Sequence, residues 1–189
     1  NGITDSVSNI PNETIGRLSI LNNTKVKLNP AASNQLYYIQ SDGDTSTAEL
    51  KIENGSSMYV YGNNFKLKFN GTLNKATIDG RLEIRNNPGS VQVDLTNCLA
   101  TVSASGVIAS GGSGNSTPFI SGDSTLKVFG VYEHLYTNEF GYYPYAKWED
   151  GSEVKILGFT SLAPNYVVNT YGTDQPFYNV TYNCVNQTG

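Results

Sequence analysis

The segment from Ala48 to Val102 limits what this chain can become. Its runs include AELKI, ENGS, SMYVY, GNN, FKLKF, NGTLN, ATI, DG, RLEI, RNNPGS and VQVDL, with apolar and polar residues alternating inside the strand-like ones. A period of two puts Leu50 and Ile52 on one strand face and Lys51 on the other. The same rule separates Phe65, Leu67 and Phe69 from Lys66 and Lys68, and Val91, Val93 and Leu95 from Gln92 and Asp94. Gly, Asn, Asp or Pro breaks each run. The Asn54-Gly55 and Asp79-Gly80 pairs predict type I′ turns, which need positive φ at both central residues. The pattern therefore predicts a ladder of short antiparallel strands, each buried on one side.

The alternation extends beyond this segment. Leu18 and Ile20, Val26 and Leu28, and the run Leu36 to Ile39 read as earlier strands. Leu126 to Tyr132, Val154 to Phe159, Tyr166 to Val168 and Phe177 to Tyr182 read as later ones. No stretch keeps helical periodicity over three turns. The expected class is all-β, an antiparallel β-sandwich of immunoglobulin-like or pilin-like form with an extended N-terminal arm. A parallel β-helix is the alternative, because strands arriving about every eight residues with Asn and Gly at the corners also suit solenoid coils. The hairpin dipeptides and the lack of a clear repeat place it second. At 189 residues the chain suits a single head, residues 15–189, preceded by an arm and linker, residues 1–14. Pro11 separates the two.

Charge and composition exclude several functions. The net charge is −4, and the twelve basic residues are scattered along the sequence, which argues against a nucleic-acid partner. No apolar run reaches membrane-spanning length. Charged residues make up only 15%, and polarity comes from Asn, Ser, Thr, Gly and 13 tyrosines, a palette suited to work outside cells. A start at Asn1, with neither Met nor a signal pattern, fits a processed, secreted chain.

Two cysteines, Cys98 and Cys184, are too few for a zinc site. One disulfide between them would close a long loop and add roughly 4–5 kcal/mol in the chain-entropy model. Two buried thiols are the other reading. Seven Asn-X-Ser/Thr sequons offer N-glycan acceptors at Asn12, Asn22, Asn54, Asn70, Asn115, Asn179 and Asn186. Asn22, Asn54 and Asn70 fall at expected turns, and Asn115 falls in the Ser110–Asn115 Gly-rich loop.

Catalytic chemistry finds little support in the residues. His134 is the single histidine and has no nucleophile elbow to serve. No Gly-rich loop opens a helix, so a nucleotide cofactor has no support. Ser41-Asp42-Gly43-Asp44 lacks the later carboxylates of a calcium loop. Glu149 and Asp150, beside Trp148, would point to opposite faces of a strand, unlike a glycosidase pair. The expectation is a non-enzyme without metal or cofactor.

Together the sequons, the β-pattern, the short arm and stretches such as PNYVVNTYGTDQPFYNVTYNC resemble the thread subunits of crenarchaeal, Sulfolobus-type cell surfaces. The resemblance implies an extracellular filament of neighbouring copies, in which the arm of one subunit completes the sheet of the next. Ile3, Val7 and Ile10 would be the donor-strand side chains, with main-chain bonds giving continuity. Asp5 shares a face with Ile3 and Val7 and would need a polar niche. The competing function is a cell-surface, S-layer or viral adhesin domain that binds glycans through the aromatic stretch from Tyr136 to Trp148. A carbohydrate-active enzyme is a third class, without nameable carboxylates.

Overall fold

The strands expected between Leu18 and Leu95 are all present, but none folds back on its sequence neighbour. The computed structural model describes residues 4–7, 14–30, 32–44, 46–72, 74–85, 91–95, 98–112, 118–119, 125–137, 147–156 and 177–183. A long sheet holds β1 (Thr4–Val7), β4 (Lys25–Leu28), β7 (Ser57–Val60), β10 (Arg81–Arg85), β13 (Val107–Gly112), β16 (Val131–Thr137), β18 (Glu153–Ile156) and β19 (Asn179–Tyr182), in that order. A five-stranded sheet holds β2 (Thr14–Ile15), β5 (Leu36–Gln40), β8 (Phe65–Asn70), β11 (Val91–Asp94) and β14 (Pro118–Phe119). A six-stranded sheet holds β3 (Leu18–Ile20), β6 (Leu50–Ile52), β9 (Asn74–Ile78), β12 (Cys98–Val102), β15 (Thr125–Val128) and β17 (Lys147–Trp148).

Every described strand pair is parallel. From β2 to β16 the chain visits the five-stranded, six-stranded and long sheets in turn, then begins again one strand higher. This is a three-faced parallel β-solenoid. It overturns the antiparallel sandwich, and the parallel β-helix is the fold.

The turn chemistry explains the difference. Gly55 has φ +82°, but Asn54 is not in the positive-φ region, and neither Asp79 nor Gly80 is. Without positive φ at both positions, no type I′ reversal forms. The chain bends onto the next face instead. Between the six-stranded and long sheets the corners hold four residues at 21–24, 53–56, 103–106 and 149–152, but two at 79–80 and 129–130. Each four-residue corner is closed by its last N–H donating to its first carbonyl: Thr24 to Leu21 (3.1 Å), Ser56 to Glu53 (2.9 Å), Gly106 to Ser103 (2.8 Å) and Ser152 to Glu149 (3.0 Å).

The strand registers continue through these corners and stack Thr24, Ser56, Gly80, Gly106, Gly130 and Ser152 in one column. Only small residues fit there. A Cβ on Gly80 would lie 2.3 Å from the carbonyl oxygens of Glu53 and Ser56, and one on Gly106 would lie 2.0 Å from that of Ile78. Val107 N–H donates to the Gly80 carbonyl at 2.8 Å, and Val131 N–H to that of Gly106 at 3.0 Å, so the ladder runs unbroken past the corner.

Inside, alternate residues from the three faces meet. Ile20, Ile52, Ile78, Val102 and Val128 form a buried column on the six-stranded sheet. Met58, Leu82, Ile108, Tyr132 and Val154 form another on the long sheet. Tyr37, Leu67 and Val93 line the third wall. Each large side chain contributes roughly 1.5–3 kcal/mol by area. The core also takes a polar pair, the Ser110 and Tyr132 hydroxyls, hydrogen-bonded to each other and buried.

Replacing Gly80 with Ala is expected to cost roughly 1–3 kcal/mol in urea unfolding, since backbone carbonyls cannot yield as a side chain can. Gly16→Ala is the control and should change stability little, because a Cβ there meets nothing within 4 Å.

Candidate functional site: the outer face of the long sheet

With the inward side chains committed to the core, anything the solenoid recognises must meet its outward columns. On the long sheet, the central outward column runs Lys27, Tyr59, Glu83, Ala109, Glu133 and Lys155. Tyr61, two residues after Tyr59, brings a second ring to the same side. The two rings stack at 6.5 Å with 30° between their planes, and the Lys27 ammonium sits 4.8 Å over the Tyr61 ring. An ammonium over a ring face is held by the ring quadrupole.

Beside the rings lies a charge network. Glu83 is buried, although its position points outward. Its Oε2 accepts from Arg81 Nε at 2.8 Å, and its Oε1 pairs with Arg85 Nε at 2.5 Å. Arg81 reaches past β13 to Glu133 Oε2 at 2.7 Å. Ala109, small and fully buried, is the residue it crosses. Burial opposes the charge on Arg81, but the bonds to Glu133 and Glu83 outweigh it and hold the guanidinium above its ordinary pKa. Burial first, and the Glu83 charge second, raise the Tyr61 phenol. The arrangement is a rigid polar platform with two half-buried rings and the half-exposed Arg85 at its edge.

The other expected residues are dispersed. Val7 pairs in register with Leu28 of its own chain, and Asp5 with Val26, so β1 forms one end of the long sheet. Ile3 and Ile10 lie outside the described residues. Cys98 is a buried free thiol, which corrects the expected disulfide; Cys184 lies outside the described residues. Among the acceptors, Asn22 and Asn54 occupy stacked, exposed corner positions; Asn70 ends β8 and Asn179 begins β19, both exposed. Asn12, Asn115 and Asn186 lie outside the described residues. Ser56, the hydroxyl of the Asn54 sequon, is buried in the small-residue column.

The aromatic stretch proposed as a binding face divides differently. Residues 138–146 lie outside the described part, and Trp148 packs inward, 6.1 Å from Tyr132 and 5.3 Å from Phe177. Glu149 and Asp150 are corner residues. Arg17 holds the Asp42–Asp44 loop at 2.5 Å and 3.6 Å. No group of three or more His, Cys, Asp or Glu side chains among the described residues is placed to hold a metal ion. Nor is any described helix long and apolar enough to cross a membrane.

The Tyr59–Tyr61 platform escaped sequence reading because its acids and arginines come from strands 24 to 26 residues apart. The available signal was SMYVY itself, whose two tyrosines share the outward parity of the strand. Comparison with protein-family models, curated proteins and solved structures returned no match.

Two measurements check this local picture. Arg81→Met leaves the Glu83 carboxylate short of its main partner and should cost about 2–4 kcal/mol in urea melts, with Glu83→Gln in the same chain recovering part of the loss. Burial, with the Glu49 charge adding to it, pushes the Cys98 thiol up to about 12. Its neutral form thus favours the fold below the ordinary thiol pKa, and that contribution is lost as pH rises from there toward 12. At about pH 8, iodoacetamide should leave Cys98 unmodified in the native chain and alkylate it once guanidinium unfolds the coil, as read by peptide mass.

Proposed function

We propose that this chain is a glycan-binding solenoid module of a cell-surface, S-layer or viral surface protein, acting by recognition rather than catalysis. The observation that carries the reading is the stacked Tyr59–Tyr61 pair on the outer face of the long sheet, flanked by Lys27 and Arg85. Aromatic faces present apolar area to the C–H faces of a sugar ring, while neighbouring charged groups exchange hydrogen bonds with its hydroxyls. Parallel coils hold those groups on regular structure, so little ordering is needed on binding. Neutral N-glycans on exposed acceptors such as Asn22 and Asn70 fit the same extracellular setting.

A head-to-tail filament of copies is the second reading, favoured by one feature. The last described strand, β19, leaves Val180 exposed at 43%, although it occupies the inward register of Val154, and Tyr178 just before the strand is exposed at 55%. A parallel edge of this kind invites another strand.

Calorimetric titration with a panel of neutral and amino-sugar oligosaccharides tests the main reading. Saturable binding is expected, with Tyr59→Ala/Tyr61→Ala weakening it about tenfold or more, since each ring contributes on the order of 0.5–1.5 kcal/mol. Failure of the wild-type chain to bind any member, together with sedimentation as filaments, would favour the second reading instead.

A further inference from the structure

The six-stranded sheet carries an outward face of a different character. Ser19, Lys51, Thr77, Thr101 and Lys127 follow one another in register along one outward column. Lys75 stands two residues along β9 from Thr77, on the same side of the strand and opposite Glu49. No acidic residue occupies an outward position of β3, β6, β9, β12, β15 or β17. In a chain of net charge −4, three of its twelve basic residues, Lys51, Lys75 and Lys127, thus collect on one face whose strands carry no acid.

Elsewhere on the coil the basic residues divide: Lys25, Lys27 and Lys66 make no ion pair among the described residues, and five others do. Arg17, Lys68, Arg81, Arg85 and Lys155 all pair with carboxylates. Lys51, Lys75 and Lys127 make no ion pair among the described residues. Glu49, opposite Lys75 just before β6, is buried and accepts the Lys75 backbone N–H at 2.5 Å. Glu53 and Asp79 lie at the corner beside the face, where Glu53 already accepts the Asn22 N–H at 2.7 Å. At a strand spacing of about 4.8 Å, Lys51 and Lys127 stand roughly 14 Å apart along the solenoid axis.

We propose that this face binds an extended polyanionic polysaccharide, carboxylated or sulfated, lying along the solenoid axis. Row geometry rather than a pocket favours a linear ligand with repeating charge. The threonine hydroxyls between the lysines can exchange hydrogen bonds with sugar hydroxyls. Nucleic acid is disfavoured by the chemistry of the same face: its described outward positions hold no aromatic ring on which bases could stack and no arginine fork. The site shares no residue with the Tyr59–Tyr61 platform, so the two stand or fall separately.

The test measures binding of the whole chain to dextran sulfate, polygalacturonate, neutral dextran and duplex DNA across a salt series. Dextran sulfate or polygalacturonate should bind, with affinity falling as salt rises, and neutral dextran should not. The Lys51→Gln/Lys75→Gln/Lys127→Gln variant should lose about tenfold or more and show a salt slope shallower by roughly two to three. Its urea midpoint should stay at or above the wild-type value, since only unpaired surface charge is removed. Tyr59→Ala/Tyr61→Ala should leave polyanion binding unchanged. Absence of polyanion binding, an unaltered affinity in the triple variant, or equal affinity for duplex DNA would overturn the proposal.

Discussion

Everything in this molecule depends on one coil lying directly on the next at strand spacing. Parallel backbone bonds set that distance on all three faces, and the corners must meet it too. Where the chain passes from the six-stranded sheet to the long one, carbonyls of one coil come within 2.0 to 2.3 Å of where a Cβ of the next would sit. Glycine at 80, 106 and 130 removes the clash, with Ser56 and Ser152 at either end of the run. The corner thereby keeps its N–H to carbonyl bonds and the columns stay in register. Once the columns are in register, like residues stack: aliphatics inward, and whatever the outward positions hold, outward.

That consequence links fold to surface. A solenoid converts residues about two dozen positions apart in the chain into neighbours in space. Arg81 meets Glu133 across an intervening strand. Lysines scattered through the sequence become a row, and the tyrosines of a single run become part of a platform with acids and arginines from later coils. The outer faces therefore carry the rings and charges, while the interior is taken up by aliphatic and aromatic side chains and the buried Ser110–Tyr132 pair.

The strands and their buried faces were legible in the sequence because alternation reports burial directly. Leu50, Ile52, Phe65, Leu67, Val91 and Val93 are all buried as expected. Strand direction was not legible, because a period of two is the same in parallel and antiparallel sheets. The dipeptides at 54–55 and 79–80 pointed the wrong way: Gly55 does adopt positive φ, but Gly80 is there for close approach and not for its backbone angle. A repeat was present and hidden. LSI-LNNT-KVKL, LKI-ENGS-SMYV, ATI-DG-RLEI, ATV-SASG-VIAS and LKV-FG-VYEH are successive copies of one strand–corner–strand unit. Corners of two or four residues, and the longer insertion at 41–49, vary the register step from 22 to 32 residues on the long sheet between β4 and β18, which masks any fixed period. The lysine column was hidden for the same reason, since it exists only once the coils are stacked.

The most direct test of the stacked-coil architecture is a spin-label distance between Cys side chains placed at Lys25 and Glu153, with Cys98→Ala and Cys184→Ser removing the native thiols. These positions lie in one outward column, five strand spacings apart. Stacked parallel coils require a single narrow distribution centred near about 24 Å, broadened only by the label linkers. A distribution centred below about 15 Å, or a broad one with no peak near that spacing, would show that the columns do not exist and the solenoid with them.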